Sequence, residues 1–452
     1  MTGRPPSGTP RFSAGGFPQE AIRDRARNGA AAVFPPLAGY GTTLYGAERS
    51  ATAPGYADCD DLLERTRIVP PVFMPERLEK LIDLGREPYY GDVALETELG
   101  GMRAPLPLFV SAFGSTRATG DDLGEAVARQ AAAAGLPLVI GENVVPVNGY
   151  RASTRPDGPL SPLLGRVRAY LEAARADGTG GVVVQQSTED ADSEVWNLVY
   201  SDAAAQPLLE TGRLAFELKV GQGAKPGLGG MIVVDAADAS RLTGQYLVEP
   251  LSGGAGRFLR SSAPGTFTEE ILRQQIRLMR NNFPRARVWV KLHPGRDIAD
   301  VSATAWSAGA DAVLVDGAEG GTGWAPSVFL GHVGLPLFEC LTRVGPTPYC
   351  LLATGRMWEG SRVVKALALG ARAAGLGRAA LIAADEDRDQ GLLRLVEALA
   401  LELRLLISAL GRYDAGAVSR DDVLVPASPW AAPSACAPPV VVRERWEFTT
   451  DD

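Results

Sequence analysis

Two lysines and five glycines stand together in one short stretch of this chain, Lys219-Val-Gly-Gln-Gly-Ala-Lys-Pro-Gly-Leu-Gly-Gly230. Glycines allow backbone N–H groups to approach a ligand closely, and the ammonium groups of Lys219 and Lys225 add positive charge at that approach. The stretch directly follows an apolar, strand-like run, Leu214 to Val220. It therefore predicts a loop that binds an anionic group or an electron-rich ring.

Glycine-rich turns recur further along the chain. They are Asp316-Gly-Ala-Glu-Gly-Gly-Thr-Gly323, Ala353-Thr-Gly-Arg356 and Gly375-Leu-Gly-Arg378. The last two each precede a predicted helix, and backbone donors at a helix N-terminus favour an anion such as phosphate. Arg356 and Arg378 add positive charge there. The alternative is that these glycines only form tight turns.

Eight short apolar runs alternate with helical stretches beyond residue 100, which is typical of βαβ units and a parallel sheet. The predicted strands are Leu106–Ala112, Leu136–Ile140, Gly181–Gln185, Leu214–Val220, Arg287–Leu292, Ala312–Asp316, Tyr349–Thr354 and Ala373–Leu376. The predicted helices include Gly120–Ala134, Leu163–Ala176, Thr268–Asn281 and Ser361–Leu369. Eight repeats over about 280 residues fit an α/β fold, the (β/α)8 TIM barrel, with its excess length between the fourth and fifth strands.

An open doubly wound sheet is the alternative fold, but it would concentrate its glycines at one reversal of strand order. Here glycines follow the fourth, sixth, seventh and eighth strands, as the ring of loops in a barrel requires. Ligand contacts in a barrel lie at the carboxyl ends of strands. We therefore expect Gln185, Lys219 and Lys291, which end the third, fourth and fifth strands, to face a ligand at one rim.

The segments outside the barrel have a different composition. We expect residues 1–100 to form an arm with short elements, including a helix at Pro18–Arg27, and residues 101–385 to form the barrel. Residues 386–452 are expected to contain a buried helix, Gln390–Leu410, and a proline-rich tail from Asp421.

The overall composition and charge argue against some classes of binding partner. With a net charge of -8 and a pI near 5.2, the chain is a poor candidate for binding nucleic acid or an anionic membrane. The four cysteines are scattered, and no run has the roughly 18 apolar residues of a membrane span. We therefore expect a cytoplasmic protein that acts on a small molecule and assembles with copies of itself.

Several kinds of catalytic site have no motif here. The sequence lacks a nucleophile elbow, a metal-spaced cluster of His and Cys, and a GxGxxG motif after a first strand, which argues against triad hydrolases, metal enzymes and Rossmann dehydrogenases. Of the two histidines, His293 follows a strand end and precedes Pro294. A structural role is favoured for it over a proton-transfer role.

Several motifs, in order, resemble the FMN-binding synthase domain of the glutamate synthase family, from about residue 58 to 382. They are Pro107-Leu-Phe-Val-Ser-Ala-Phe-Gly114, Lys219-Val-Gly-Gln-Gly-Ala-Lys-Pro-Gly227, Asp316-Gly-Ala-Glu-Gly-Gly-Thr-Gly323, Leu351-Leu-Ala-Thr-Gly-Arg356, Val363-Val-Lys-Ala-Leu-Ala-Leu-Gly-Ala371 and Ala379-Ala-Leu-Ile382. The resemblance implies FMN as cofactor and a hydride moved between flavin N5 and an imino acid formed from a 2-oxo acid and ammonia.

The resemblance also implies roles for individual residues. The catalytic residues would be Lys219, Lys291 and Glu319. The cofactor would be held by Ser111, Ala112, Gln185, Lys219, Lys291, Asp316, Gly317, Gly321, Thr322, Gly355, Arg356, Gly377 and Arg378. The substrate would be held by Gln222, Lys225 and Glu142.

Some positions depart from the family pattern. The family's cluster cysteines would directly follow Leu381, but the chain reads Ile382-Ala-Ala-Asp-Glu-Asp-Arg388 there, so no iron–sulfur cluster is expected. Met1 begins no glutaminase domain, so a separate ammonia-supplying subunit or electron donor would be needed. Ala318 stands where the family has His, Trp324 where it has a small residue, and Leu228 where it has an acidic residue. We therefore expect a remodelled substrate pocket.

Two other functions remain open at this point. One is an FMN-dependent oxidase of a 2-hydroxy or amino acid that uses O2, which needs a His and Arg pair for which only His293 is available. The other is a non-catalytic barrel that serves as a subunit. It would have no need of the two ring-facing lysines or the phosphate-binding glycines.

Overall fold

Eight parallel strands close into a barrel in the computed structural model, which describes residues 12–44, 61–114, 123–142, 144–145, 162–187, 191, 194–226, 228–244, 246–261 and 265–425. In chain order the barrel strands, one to eight, are Leu108–Phe113, Leu138–Ile140, Val182–Gln186, Leu214–Lys219, Arg287–Leu292, Ala312–Asp316, Leu351–Thr354 and Ala373–Leu376. The ends of each strand lie within two residues of those of a predicted run, and the prediction of a (β/α)8 barrel is confirmed.

The helices surround this barrel. The α-helices that follow barrel strands are Leu123–Ala133, Pro162–Glu172, Val195–Ser201, Gln206–Glu210, Glu269–Asn282, Ile298–Ser307, Ser327–His332, Leu337–Val344, Gly360–Ala368 and Arg378–Glu386. The described residues also form the helix Ala236–Leu242 in the insertion after strand four, and Gln19–Asn28, Leu62–Arg65, Pro75–Leu84 and Gly391–Ala409 outside the barrel. The four predicted barrel helices are present, with ends displaced by one to four residues. No helix in the described ranges combines the length and the apolarity needed to cross a membrane.

The interior of the barrel is built in layers because alternate residues of a strand point to the same side. Each strand contributes to one buried apolar layer, which consists of Phe109, Val139, Val183, Ala215, Trp289, Leu314, Leu352 and Ala373 with a few neighbours. A hairpin, Thr97–Leu99 and Met102–Ala104, closes the amino end of the barrel. Trp289 Nε1 donates to Gly100 O there at 3.1 Å. The described residues therefore cover the amino end of the barrel, and the open cavity lies at its carboxyl end.

The arm and the C-terminal helix pack on the same side of the barrel. The helix Gln19–Asn28 contacts both Arg378–Glu386 and Gly391–Ala409, and the buried guanidinium of Arg23 pairs with Asp385 and Glu386 at 2.9 Å each. The predictions of helices at 18–27 and 390–410 are confirmed. The first residues of the predicted tail include Val423–Leu424, which pairs with Arg67–Ile68, and residues 426–452 lie outside the described part of the chain.

A small antiparallel sheet fills the excess length between the fourth and fifth barrel strands. Its strands are Met231–Val234, Leu247–Pro250 and Phe258–Ser261, with the last in the middle. Val234, Ala239 and Leu242 form a separate small core with the helix Ala236–Leu242. The sequence analysis did not predict this sheet because four-residue strands give too short a pattern to recognise.

Candidate functional site

A cavity of about 1140 Å³ opens at the carboxyl ends of the barrel strands. The predicted site residues that line it are Ser111, Ala112, Glu142, Gln185, Gln222, Lys225, Lys291, Asp316, Gly321, Thr322, Gly355, Arg356, Gly377 and Arg378. They come from all eight strand ends. Three predicted site residues, Lys219, Gly317 and Glu319, are not among the lining residues.

The floor of the cavity is a layer of polar or small residues directly above the apolar layer. One residue of each strand, two positions beyond its apolar member, belongs to this layer. The eight are Ser111, Gly141, Gln185, Glu217, Lys291, Asp316, Thr354 and Gly375, and all except Glu217 line the cavity. The side chains thus change from apolar to polar or small between two successive layers of the barrel. This change separates the packed core from the cavity.

Lys291 is held in this layer by Asp316. Its ammonium group lies 3.4 Å from the Asp316 carboxylate, which also accepts a hydrogen bond from the Thr354 hydroxyl at 2.8 Å and from the backbone N–H of Gly223 at 3.1 Å. Both charged side chains are buried. Asp316 therefore joins the loop after strand four to strands five, six and seven.

Lys219 is the register partner of Lys291 on the neighbouring strand, so both lysines are at the same rim. The ammonium group of Lys219 is buried and pairs with the carboxylate of Glu142, which lines the cavity. Burial is the largest single influence on Glu142 and opposes its ionisation, but the charge and hydrogen bond of Lys219, with smaller contributions from Ser187 and Lys225, together outweigh burial and lower the pKa of Glu142. Lys219 therefore reaches the cavity indirectly, through its ion pair with Glu142.

Glu217 is a buried site residue that the sequence analysis missed. Gln185 Nε2 donates to its carboxylate, and Gln185 Oε1 accepts from the backbone N–H of Glu142 at 3.4 Å, which fixes the orientation of the Gln185 amide. Burial raises the pKa of Glu217 despite the nearby ammonium groups of Lys291 and Lys219. The sequence could have indicated this residue, because Glu217 is two positions before Lys219 and therefore points to the same face of the strand.

Lys225 differs from the other two lysines of the site. It is 4% exposed and lines the cavity, and its ammonium group forms no hydrogen bond or ion pair with another described residue. Burial, followed by repulsion from Lys219, lowers the pKa of Lys225 to about 8. A buried cation without a partner is costly, so this ammonium group is a candidate to bind an anionic group of a ligand.

The opposite part of the cavity is formed by the loops after strands six, seven and eight. The helix Arg378–Glu386 begins after Gly377 without a side-chain cap, and a Cβ added to Gly377 would meet no atom within 4 Å. Arg356 has a left-handed backbone, with φ of 55°, which costs a residue with a Cβ about 1 kcal/mol. Open backbone donors and two arginines make this part of the cavity suitable for a phosphate.

Glu319 and Gly317 have structural contacts in the loop after strand six. The Glu319 carboxylate accepts from the backbone N–H of Leu337 at 3.0 Å, at the start of a helix. Burial, followed by the charge of Asp61, raises the pKa of Glu319 to about 7. A Cβ on Gly317 would clash with the Glu319 carboxylate and with the backbone nitrogen of Leu337.

His293 also lies outside the cavity lining. Its ring packs so closely on Gly221 that a Cβ there would come within 2.7 Å of Nδ1, and burial lowers the pKa of His293. These contacts support the structural role favoured for this histidine. No group of three or more His, Cys, Asp or Glu suited to a metal ion occurs in the described ranges.

Apolar residues from the arm, from the small sheet and from the segments after strands six, seven and eight complete the cavity. The sequence analysis noted Trp324 as unusual, but it did not predict the part played by the arm or by the small sheet. The additional apolar lining residues are Phe12, Phe17, Met231, Ile232, Val233, Val234, Trp324, Leu330, Met357 and Leu381.

Part of this chain is similar in sequence to known proteins. Residues 178–387 match the family model described as the conserved region in glutamate synthase. The archaeal-type glutamate synthase [NADPH] of Thermotoga maritima is 34% identical over 183 residues, which are 37% of this chain and 34% of that protein. A glutamate synthase large subunit-like protein of Rhizobium meliloti is 30% identical over 243 residues, 51% of this chain and 53% of that protein. The chain thus matches about a third to a half of the length of these relatives.

A solved structure of a mandelate oxidase with an FMN adduct has the same fold. It is 21% identical, with a TM-score of 0.51 over 81% of this chain and 89% of that one. The sequence matches cover the strands and glycine-rich loops that form much of the cavity. Residues 178–387 of the chain therefore form a region similar to the conserved region of glutamate synthase.

Proposed function

We propose that this protein is an FMN-dependent oxidoreductase that moves a hydride between the flavin and an amino acid, or the imino acid derived from a 2-oxo acid. The observation that supports this most is the composition of the cavity at the carboxyl ends of the barrel strands. It combines a polar floor with two lysines at the same rim, open backbone donors at the start of a helix, and the buried ammonium group of Lys225, which has no partner among the described residues.

The residues present fit FMN. The cavity exceeds the roughly 300 to 1,000 Å³ of most ligand pockets, so it has room for a cofactor and a substrate together. The open space at Gly377 suits the close approach of a phosphate to backbone. The phosphate would be held by Gly321, Thr322, Gly355, Arg356, Gly377 and Arg378, and the ring by Ser111, Ala112, Gln185 and Lys291. When bound, FMN would supply the hydride chemistry.

The remaining polar groups are suited to bind and orient a substrate. Lys225 is placed to bind its carboxylate, and Gln222 lines the same region while donating to Thr322 O at 3.0 Å. Glu142, kept ionised by Lys219, offers a carboxylate oxygen to hydrogens on the substrate nitrogen. Lys219 also offers a proton at the edge of the site.

The electron source and the nitrogen source belong to the same proposal. The names of the archaeal-type relatives include NADPH, so we propose a nicotinamide cofactor, a separate reductase or the substrate itself as the source of electrons. A separate subunit would supply ammonia where the reaction consumes it. Oxidation of a 2-hydroxy acid by O2 has less support because His293 lies outside the cavity lining.

The colour of the purified protein tests this proposal. We expect a yellow protein with a flavin absorption spectrum that bleaches when an amino acid or reduced nicotinamide is added without oxygen. A colourless protein that takes up no added FMN would contradict the proposal and favour the non-catalytic barrel. A yellow protein that bleaches only with 2-hydroxy acids would favour the oxidase.

A further inference from the structure

We propose that the substrate has a single carboxylate and an apolar side chain, as in branched aliphatic or aromatic amino acids and their 2-oxo acids. This inference rests on the proposed function and names the substrate class of the same site. It depends on three features of the cavity: an apolar wall, an apolar rim and the distribution of charge.

The apolar wall is the strand Met231–Val234 of the small sheet. Ile232 and Val234 pack into the small core of this sheet, so Met231 and Val233 point to its other face, because residues alternate along a strand. All four residues line the cavity. Met231 and Val233 are therefore placed to contact the side chain of a ligand.

The wall lies beside the polar groups proposed to bind the substrate. The strand begins six residues after Lys225, and its neighbouring strand contains the buried Arg260, whose charge interacts with Glu142. A substrate held by Lys225 and Glu142 would therefore lie near Met231 and Val233 in the same cavity. The phosphate-binding turns come from strands seven and eight, away from this sheet in the barrel order.

The rim of the cavity is also apolar. Trp324 and Leu330 line the cavity and remain 56% and 53% exposed. Exposed apolar groups around a pocket are typical of a surface that contacts an apolar ligand. A ligand side chain between the strand and Trp324 would remove apolar surface of both from water.

The charge distribution argues for one carboxylate. Lys291 is paired with Asp316 and Lys219 with Glu142, which leaves Lys225 as the buried lysine of the site without an ion pair to another described residue. A second carboxylate on the substrate would lie near the apolar wall and would lose hydration there. The buried Arg260 of the neighbouring strand stacks on the Tyr246 ring at 4.1 Å and is not a lining residue, so it does not face such a group. Arg257 lines the cavity at its exposed mouth and is the cation that a second carboxylate would have to reach.

The test is a comparison of binding constants on the flavin-containing protein. Calorimetry and the flavin spectrum would measure Kd for 4-methyl-2-oxopentanoate and phenylpyruvate against 2-oxoglutarate. We expect the two apolar acids to bind at least about tenfold more tightly, since even one methylene in an apolar pocket gives about 10- to 200-fold.

A double variant tests whether Met231 and Val233 produce the preference for apolar acids. Met231→Gln combined with Val233→Asn should reduce the preference for the apolar acids by about tenfold. The matched control is Leu247→Gln in the same sheet, because Leu247 is 60% exposed and is not a lining residue. Thermal unfolding of both variants would show whether the sheet stays folded, and the control should retain the wild-type preference.

The outcomes separate this inference from the proposed function. A yellow protein that binds 2-oxoglutarate as tightly as the apolar acids, or more tightly, would overturn the substrate class and leave the flavin chemistry standing. Loss of that tight binding in Arg257→Ala would identify the group that holds the second carboxylate. A protein that takes up no FMN would overturn both proposals.

Discussion

At the scale of single residues, the candidate site depends on how each charge is paired. Lys219 and Lys291 each have a carboxylate partner, whereas Lys225 is buried and pairs with no carboxylate in the part of the chain that the structure describes. The paired lysines are held in fixed positions, and the unpaired one is available to a ligand. This difference, which residue type alone does not indicate, makes Lys225 the most direct test of the substrate site.

Lys225→Met should weaken binding of a substrate carboxylate by about 10- to 100-fold, because a charged hydrogen bond contributes about 1.5 to 3 kcal/mol. The flavin should stay bound. Since burial lowers the pKa of Lys225 to about 8, the ammonium form decreases above that pH, and wild-type binding should weaken as pH rises through about 8. Calorimetric titration of a 2-oxo acid from pH 6.5 to 9.5 measures both effects.

Lys80→Met is the control for this experiment, because Lys80 lies on the helix Pro75–Leu84, which has no buried residues. Equal weakening in both variants would remove Lys225 from the site. A pH profile that is flat in the wild type would show that the ammonium group is not the partner of the carboxylate.

At the scale of elements, the loops after the barrel strands combine backbone strain with charge. The loop after strand seven places Arg356 in the left-handed region, next to Gly355 with φ of 133°. Strain of this kind persists when the surrounding structure imposes it, and it occurs often at binding sites. An arginine at such a position is consistent with a role for its charge that outweighs the cost of the conformation.

Arg356→Gly should therefore separate stability from binding. Glycine adopts positive φ freely, so the free energy of unfolding should be unchanged or increase by up to about 1 kcal/mol. Loss of the cation should weaken FMN binding by about tenfold or more. Denaturant unfolding of the flavin-free protein and fluorescence titration with FMN are the measurements.

Arg356→Ala is the matched comparison, because it loses the cation and keeps the strained backbone. It should bind FMN as weakly as Arg356→Gly and be less stable. If both variants bind FMN like the wild type, the arginine has no part in holding the phosphate.

At the scale of the whole molecule, segments far apart in the chain complete the cavity. The arm contributes Phe12 and Phe17 to the lining, and Phe17 lies under the guanidinium of Arg378 at 4.4 Å. Arg23, 4% exposed, attaches the arm to the end of the helix Arg378–Glu386 through Asp385 and Glu386. The arm therefore links the stability of the fold to the shape of the site.

Arg23→Met should lower the free energy of unfolding by about 3 kcal/mol, because its removal takes the ion pair from the largely buried carboxylate of Asp385 and leaves Glu386 paired with Arg27 alone. Arg27→Met is the control. Arg27 also pairs with Glu386, but its side chain is 46% exposed, so its loss should cost less than about 1 kcal/mol. Urea unfolding at pH 7 measures both, and equal effects would contradict the importance assigned to Arg23.

The sequence by itself determined the barrel and identified most of the polar residues that line the candidate cavity. Apolar runs with a period of two, separated by helices, identify strands locally, and glycine-rich turns after them identify the rim that binds ligands. The domain limits at residues 100 and 385 remain a proposal. Lys291, Gln185 and Asp316 were found because each ends an apolar run, which is a local feature.

Only the tertiary structure decided which of these groups face the ligand and which face each other. Lys219 meets Glu142 across 77 residues, Gln185 meets Glu217, and the Glu319 carboxylate binds the start of a helix. The small sheet and the arm line the cavity although their sequences contain no site motif. The physical reason is that charge pairing and desolvation depend on distances between segments, and closing the barrel sets those distances.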